Sequence, residues 1–207
     1  MSELDPARVL LIIATLGRRP EYLTQTIDSI KDQSTLVDLV IVGPTGNQGL
    51  QELAEKHKIP ILPDPGSLPA AINLGATVLK DHHEYLNWLN DDDLLEPQTL
   101  HKVVAALDEN PSASVAFGHC RYIDAHGARL WVSRAGKWAP KILAWGPDLV
   151  PQPGMLVRSH VWKVAGGIDP SYSLAFDLDL LLRLKKLGPI ICVPTVVSSF
   201  RWHRDSL

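Results

Sequence analysis

Apolar and polar positions change their period several times along the chain, and each change predicts an element. Arg8 to Ala14 reads RVLLIIA, a run with almost no polar break. Such a run predicts a strand buried on both faces, as in a parallel sheet. Thr15 to Arg19 interrupts it with a glycine and basic residues. Pro20 then opens a helix through Lys31, with Leu23, Ile27 and Ile30 at helical spacing. Val37 to Val42 predicts a second strand, closed by Gly43-Pro44-Thr45-Gly46-Asn47, and Gln48 to His57 a helix. Ile59 to Leu62 is a short third strand. Leu68 to Leu79 is a helix with Ala70, Ala71, Leu74 and Val78 on one face. Glu84 to Asn90 is a fourth strand, and Glu96 to Glu109 a helix ended by Asn110-Pro111. This alternation predicts a parallel sheet with helices on both faces and right-handed crossovers.

The second half is less regular. Ser114 to Ile123 and Ala128 to Ser133 predict strands joined by a turn at Ala125-His126-Gly127. Arg134 to Gln152 reads as a long loop rich in Gly, Pro and Trp, a length often tied to function. Pro153 to Arg158 predicts a strand, Ser159 to Val164 a short capped helix, and Gly166 to Pro170 a turn. Asp177 to Leu187 predicts an amphipathic helix, followed by strands at Pro189 to Val193 and Val196 to Phe200. The expected fold class is α/β, a mostly parallel, Rossmann-like central sheet flanked by helices, with a small antiparallel element in the second half.

The most informative stretch is the end of the fourth strand, where Glu84 to Leu89 gives way to Asn90-Asp91-Asp92-Asp93. Adjacent carboxylates repel, and a hard divalent cation such as Mg²⁺ or Mn²⁺ offsets that repulsion through oxygen ligands. Open α/β sheets also bind ligands at the carboxyl ends of their strands. The alternative is an acid-rich helix start, because Glu96-Pro97 follows at once and acids favour a helix N-terminus. Three further groups carry candidate chemistry. Asp177 and Asp179 fall in the first turn of a helix, as caps or as cleft-facing acids. His203 lies in Phe200-Arg201-Trp202-His203-Arg204-Asp205-Ser206, as a solvated terminal residue or as a ligand. Thr15-Leu16-Gly17-Arg18-Arg19 is an ordinary strand-to-helix turn or a nucleotide contact, without the glycine spacing of a dinucleotide fingerprint or P-loop.

Composition narrows the classes. The chain has 207 residues, enough for one domain with a substantial core. A net charge of −3 gives no broad nucleic-acid surface. Cys120 and Cys192 imply no disulfide framework and fit a reducing compartment. Met1 to Ala7 is short and acidic, unlike a signal peptide, and no apolar run approaches the ~20 residues that span a bilayer. The expectation is a cytoplasmic protein without a transmembrane segment.

Four segments in order resemble the family 2 glycosyltransferases of the GT-A fold. VLLIIATLGRRPEYLTQTIDSI is similar to that family's first strand, turn and Arg-Pro-led helix. LPAAINLGATVLKDHHEYLNWLNDDDLLEP is similar to its Asn-Leu-Gly helix and metal-carboxylate strand. GGIDPSYSLAFDLDLLLRLKKLG is similar to the Gly-Gly turn and the motif supplying the catalytic base, and FRWHRDSL to the His segment that closes over the phosphates. The resemblance implies a single GT-A-like domain over 1–207, with a nucleotide-binding half at 1–110 and an acceptor and catalytic half at 111–207. It implies inverting, hexosyltransferase-type transfer from a nucleotide-sugar donor to a hydroxyl of a carbohydrate or other acceptor.

It further implies Asp177 as general base. Asp92, Asp93 and His203 become ligands of Mn²⁺ or Mg²⁺, with Arg201 near the phosphates. Thr15, Leu16, Arg18, Pro44, Asn73 and Asp91 become nucleotide-sugar contacts, and Trp138, Trp145 and Gln152 acceptor contacts. The chain departs from the pattern in three places. Val42-Gly43-Pro44-Thr45-Gly46 lacks the acid that reads the base, Asn90 replaces the first metal-site Asp, and Phe176 precedes Asp177 where the family has Glu. Many relatives also continue past the His segment into acceptor-side or membrane-associating elements. A sugar-phosphate nucleotidyltransferase is the rival enzyme class, and its Gly-rich basic loop after the first strand is missing here. A non-catalytic sugar-nucleotide-binding module is the rival without chemistry.

Overall fold

The computed structural model describes residues 6–134, 136–146 and 148–203. Arg204, Asp205 and Ser206 of the terminal segment lie outside the described residues. Nine strands form one sheet in the order β3-β2-β1-β4-β8-β6-β9-β5, with β7 also paired to β6. The parallel part is β1 (Val9–Ala14), β2 (Val37–Gly43), β3 (Ile61–Pro63) and β4 (Tyr85–Asn90). β8 (Leu156–Arg158) runs antiparallel between β4 and β6 (Val115–Ile123). β9 (Ile190–Arg201) lies parallel to β6, with β5 (Leu94–Leu95) antiparallel on its far side. β7 (Arg129–Ser133) forms a hairpin with β6. The sheet is thus mostly parallel with antiparallel strands in the second half, as its pattern predicts.

β1 shows why its run has no polar break. Leu10 and Ile12 enter a core with Val40, Val42, Trp88 and Phe117, beneath α3 (Leu68–Ala76), α6 (Ser159–Ala165) and α7 (Phe176–Leu187). Val9, Leu11 and Ile13 enter the opposite core with Leu23, Ile27 and Leu50, beneath α1 (Pro20–Lys31), α2 (Gln48–His57) and α4 (Leu100–Glu109). At roughly 2 kcal/mol per fully buried aliphatic side chain, these five residues contribute on the order of 10 kcal/mol before chain entropy is counted.

Several boundaries differ from the pattern for local reasons. The helix expected from Glu96 starts at Leu100. Leu94 and Leu95 instead pair with Ser199 and Ser198, and Gln98 takes a left-handed φ of 54°. The Glu96 carboxylate accepts from Arg121 at 2.9 Å and from Ser199 at 2.6 Å. The helix expected through Leu79 ends at Ala76. α6 has no side-chain cap. The two terminal strands are one, continuing through Pro194, because register shifts at Gly118/His119 and His119/Cys120 absorb the missing N–H. The long loop holds short helical turns at Gly136–Trp138, Ala139–Ile142 (α5) and Leu143–Trp145, with Ala139 and Leu143 buried in the core.

Candidate active site

Parallel register brings the strand ends together. Ala14 of β1 pairs with Asn90 of β4, so Thr15 and Asp91 follow side by side. The Thr15 hydroxyl donates to the Asp91 carboxylate and accepts the Gly17 N–H at 2.9 Å. Burial pushes the Asp91 carboxyl up, the Thr15 bond opposes this, and the Asp92 charge adds to the rise. Gly43 ends β2 beside this turn. A Cβ there would lie 2.8 Å from the Thr15 carbonyl, so the two loops approach closely only because the residue is glycine.

Asp92 is the point of convergence. Its Oδ2 accepts from Arg19 Nη1 at 2.8 Å and lies 2.8 Å from His203 Nε2, while Nη1 and Nε2 are 2.5 Å apart. One imidazole nitrogen cannot both donate to Asp92 and accept from Arg19, so the triangle has more than one protonation arrangement. His203 thus reaches Asp92 from the far end of β9, 111 residues along the chain. Arg19, rather than the exposed Arg18, makes the contact, a distinction the two adjacent letters do not carry. Arg18, Arg19, Tyr22, Ala125 and His203 line an open cleft beside it.

Asp93 behaves differently. It is 0% exposed, and its oxygens accept from the Arg201 N–H at 3.2 Å and from Asn90 at 3.1 Å. Burial first, and the Asp92 charge second, push its carboxyl well above the usual range. It fastens β9 to the end of β4. Arg201 is likewise buried. It donates to the Asp92 carbonyl at 3.1 Å and to Gln25 at 2.7 Å, with its guanidinium 4.3 Å above the Tyr22 ring.

Asp177 lies in the first turn of α7, half-buried, accepting the Leu178 N–H at 2.8 Å. Asp148, missed in the sequence, lies near enough to feel its charge. Burial, with the Asp177 charge adding, pushes the Asp148 carboxyl up to about 6. Asp179 is bound by Arg183 at 2.7 and 2.9 Å, and Arg183 also holds the Ala165 and Gly167 carbonyls. That acid therefore fixes α7 to the Gly-Gly turn. Asn73 does related work. Its amide donates to the Ile168 carbonyl at 2.7 Å and accepts the Ile168 N–H at 2.9 Å, so it positions the turn. Gln152 donates to Asn87 at 3.2 Å and to the Trp88 carbonyl, tying its loop to β4. Trp138 and Trp145 are 61% and 86% exposed, and Lys141 places its ammonium 4.6 Å over the Trp138 ring. Leu16 is exposed and Pro44 half-buried at the opposite loops.

Asp92 and His203 offer a carboxylate and an imidazole suited to a divalent cation. Among the described residues, three ligating side chains converge only at Asp38, His82 and His83, at the amino ends of β2 and β4. There His83 Nδ1 accepts the Lys80 N–H at 3.0 Å, so Nε2 carries the proton and donates to Asp38 at 2.9 Å. Lys80 Nζ, 3.7 Å from the same carboxylate, supplies the positive charge. This group is a satisfied ion cluster on the side of the sheet away from the cleft.

The profile of glycosyl transferase family 2 matches residues 10–160. A glycosyltransferase of Methanocaldococcus jannaschii, described as uncharacterized, is 21% identical over 79% of this chain and 60% of its own. The crystal structure of S. aureus TarS 1-349 superposes with a TM-score of 0.73 at 15% identity, covering 93% of this chain and 60% of that one. The same fragment in complex with UDP gives 0.71 over 94% and 60%. The chain thus spans about three fifths of the length of these relatives, and at this identity the crystal structures speak for the GT-A-like fold.

Proposed function

The chain belongs to glycosyl transferase family 2, and from that premise we propose that it is an inverting, metal-dependent transferase of hexosyl type. It moves a sugar from a nucleotide donor to a hydroxyl of a carbohydrate or other acceptor. The observation that carries this reading is the convergence of Arg19 and His203 on Asp92 at the carboxyl end of β4. Thr15, Leu16, Arg18, Arg19, Pro44 and Asp91 border the nucleotide. The UDP complex of the TarS fragment supports a nucleoside diphosphate there. Asp92 and His203 would hold Mn²⁺ or Mg²⁺, which supplies charge neutralisation on the diphosphate. Arg19 is the chain's own cation at the same point and shifts from Asp92 to a phosphate oxygen when the donor arrives. Asp177 accepts the proton of the acceptor hydroxyl. The oxygen forms its bond to the anomeric carbon from the face opposite the diphosphate, and the carbon–oxygen bond to phosphate breaks with its electron pair. Trp138 and Trp145 border the acceptor.

The halves 1–110 and 111–207 act as one domain, since His203 of the second completes the site of the first. No described helix is long and apolar enough to cross a membrane, and the free cysteines Cys120 and Cys192 fit a cytoplasmic setting. Incubation with a panel of sugar nucleotides and Mn²⁺ should release nucleoside diphosphate. Binding without release, with every acceptor offered, would leave only a sugar-nucleotide-binding module. Asp92→Ala should abolish the metal dependence of nucleoside diphosphate binding while circular dichroism stays unchanged. Intact Mn²⁺-dependent binding in that variant would remove Asp92 from the site.

A further inference from the structure

Four aromatic rings meet beside the cleft and have no part in the transfer chemistry. Trp131 of β7 stacks on Tyr122 of β6 with centroids 4.4 Å apart and planes 11° from parallel. Trp202 meets Trp131 edge-on at 5.5 Å and Tyr122 at 6.3 Å, and Phe200 packs 5.4 Å from Tyr122. The hairpin is shaped for this. Ile123 pairs with Arg129 and Tyr122 with Trp131, so Leu130 is the extra residue of a bulge, a device that re-aims the side chains around it. The backbone N–H of Trp202 donates to the Ile123 carbonyl at 2.8 Å, which ties the backbone carrying the second indole to the hairpin. Yet Trp131 and Trp202 stay 43% and 55% exposed. Grouped, exposed large aromatic side chains mark a binding surface more often than isolated ones do.

We propose that Tyr122, Trp131 and Trp202 form a stacking subsite for a pyranose ring of a carbohydrate acceptor, next to the point of transfer. The proposal rests on the glycosyl-transfer reading above and names the acceptor class. Position argues for it, because Trp202 is followed by His203, which lies 2.8 Å from Asp92. Chemistry argues for it as well. The negative ring faces attract the positively polarised C–H face of a sugar, and indoles are rigid, so little entropy is lost. Exposed Arg129 and His126 in the same hairpin offer donors to the hydroxyl rim. An apolar peptide would leave those polar neighbours without use.

Soluble glucose- and N-acetylglucosamine-based oligosaccharides should be titrated against the whole chain, with tryptophan fluorescence and calorimetry as readouts. Saturable binding is expected, weakened about tenfold or more by Trp131→Ala and by Trp202→Ala and largely kept by Trp131→Phe. Nucleoside diphosphate binding should be the same in all four proteins, which separates this subsite from the donor site. If transfer fails but saccharide binding follows this pattern, the activity reading falls and the subsite stands. Absence of saccharide binding in the wild type overturns the proposal. So does a Trp131→Ala effect confined to a dimer-to-monomer change in sedimentation, which would make the rings a contact between copies. Binding to anionic vesicles in place of saccharides overturns it too.

Discussion

Asp91, Asp92 and Asp93 are consecutive in sequence and have three different environments. Asp91 is tied to Thr15, Asp92 gathers Arg19 and His203, and Asp93 is sealed against β9. The chain turns directly after β4, which sends these neighbours to different surroundings, so a run of identical letters says that acids are present but not which one faces the cleft. The acids of α7 divide in the same way, Asp179 held by Arg183 and Asp177 accepting the Leu178 N–H. Asp177→Asn should lower turnover by about 10²–10⁴-fold, with donor binding unchanged by calorimetry, because it removes the base and keeps the shape. Near-normal transfer in that variant would exclude Asp177 as base, and Asp179 is then a poor substitute while Arg183 holds it. Asp148 yields a stability prediction. Its carboxyl is raised to about 6 in the folded chain, mainly by burial, from an ordinary 3.8. Folding therefore takes up a proton between those values, and stability falls as pH rises from about 4 through about 6. Asp148→Asn should match the wild type near pH 4 and exceed it by about 1–2 kcal/mol at pH 8, in urea unfolding at each pH. An Asp148→Asn advantage over the wild type that does not grow across that window would contradict the assignment.

Elements were legible in proportion to how much of their stability comes from their own residues. β1 and α1 match the pattern to within a residue because their apolar spacing is complete. β5 is only two residues long and exists through its pairing with β9, a partner 103 positions away, so no local signal announces it. β9 crosses Pro194 for a similar reason, since the shifted register of β6 accommodates it. Asn73 and Gln152 read as ligand contacts by motif and serve as ties between elements, which only tertiary neighbours reveal. Close packing between elements is testable at Gly75. A Cβ there would stand 2.4 Å from Ile12 Cγ2, where α3 crosses β1. Gly75→Ala should destabilise the protein by about 1–3 kcal/mol through overpacking, despite the better helix propensity of alanine. A chemical-denaturation midpoint at or above that of the wild type would mean that α3 slides away from β1 at little cost.

At the scale of the whole molecule, the sheet collects its chemistry at one end by order rather than by proximity in sequence. β1 and β4 are neighbours, β2 adds the loop at Pro44, and β9 returns His203 across the sheet. The base-reading side has no acid after β2. The residue that register brings nearest is Asp64, whose N–H donates to the Gly43 carbonyl at 3.0 Å. One oxygen of its exposed carboxylate accepts the Gly66 N–H at 2.9 Å, which turns the side chain into its own loop. Asn47, the next polar side chain, caps α2 through Leu50 and donates to the Gly17 carbonyl. With Asn47 committed and Asp64 turned into its own loop, the expectation is that backbone groups and Thr45 meet the base. Backbone recognition discriminates weakly, because a missing side-chain partner leaves no buried polar group unpaired when the wrong base enters. Nucleoside diphosphates with different bases should therefore bind within about tenfold of one another, a spread of about 1.4 kcal/mol. A thermal-shift and calorimetric comparison of UDP, CDP, GDP and ADP tests this directly. Exclusive binding of UDP would overturn it, and loss of that exclusivity in Asp64→Asn would identify the acid that does the reading.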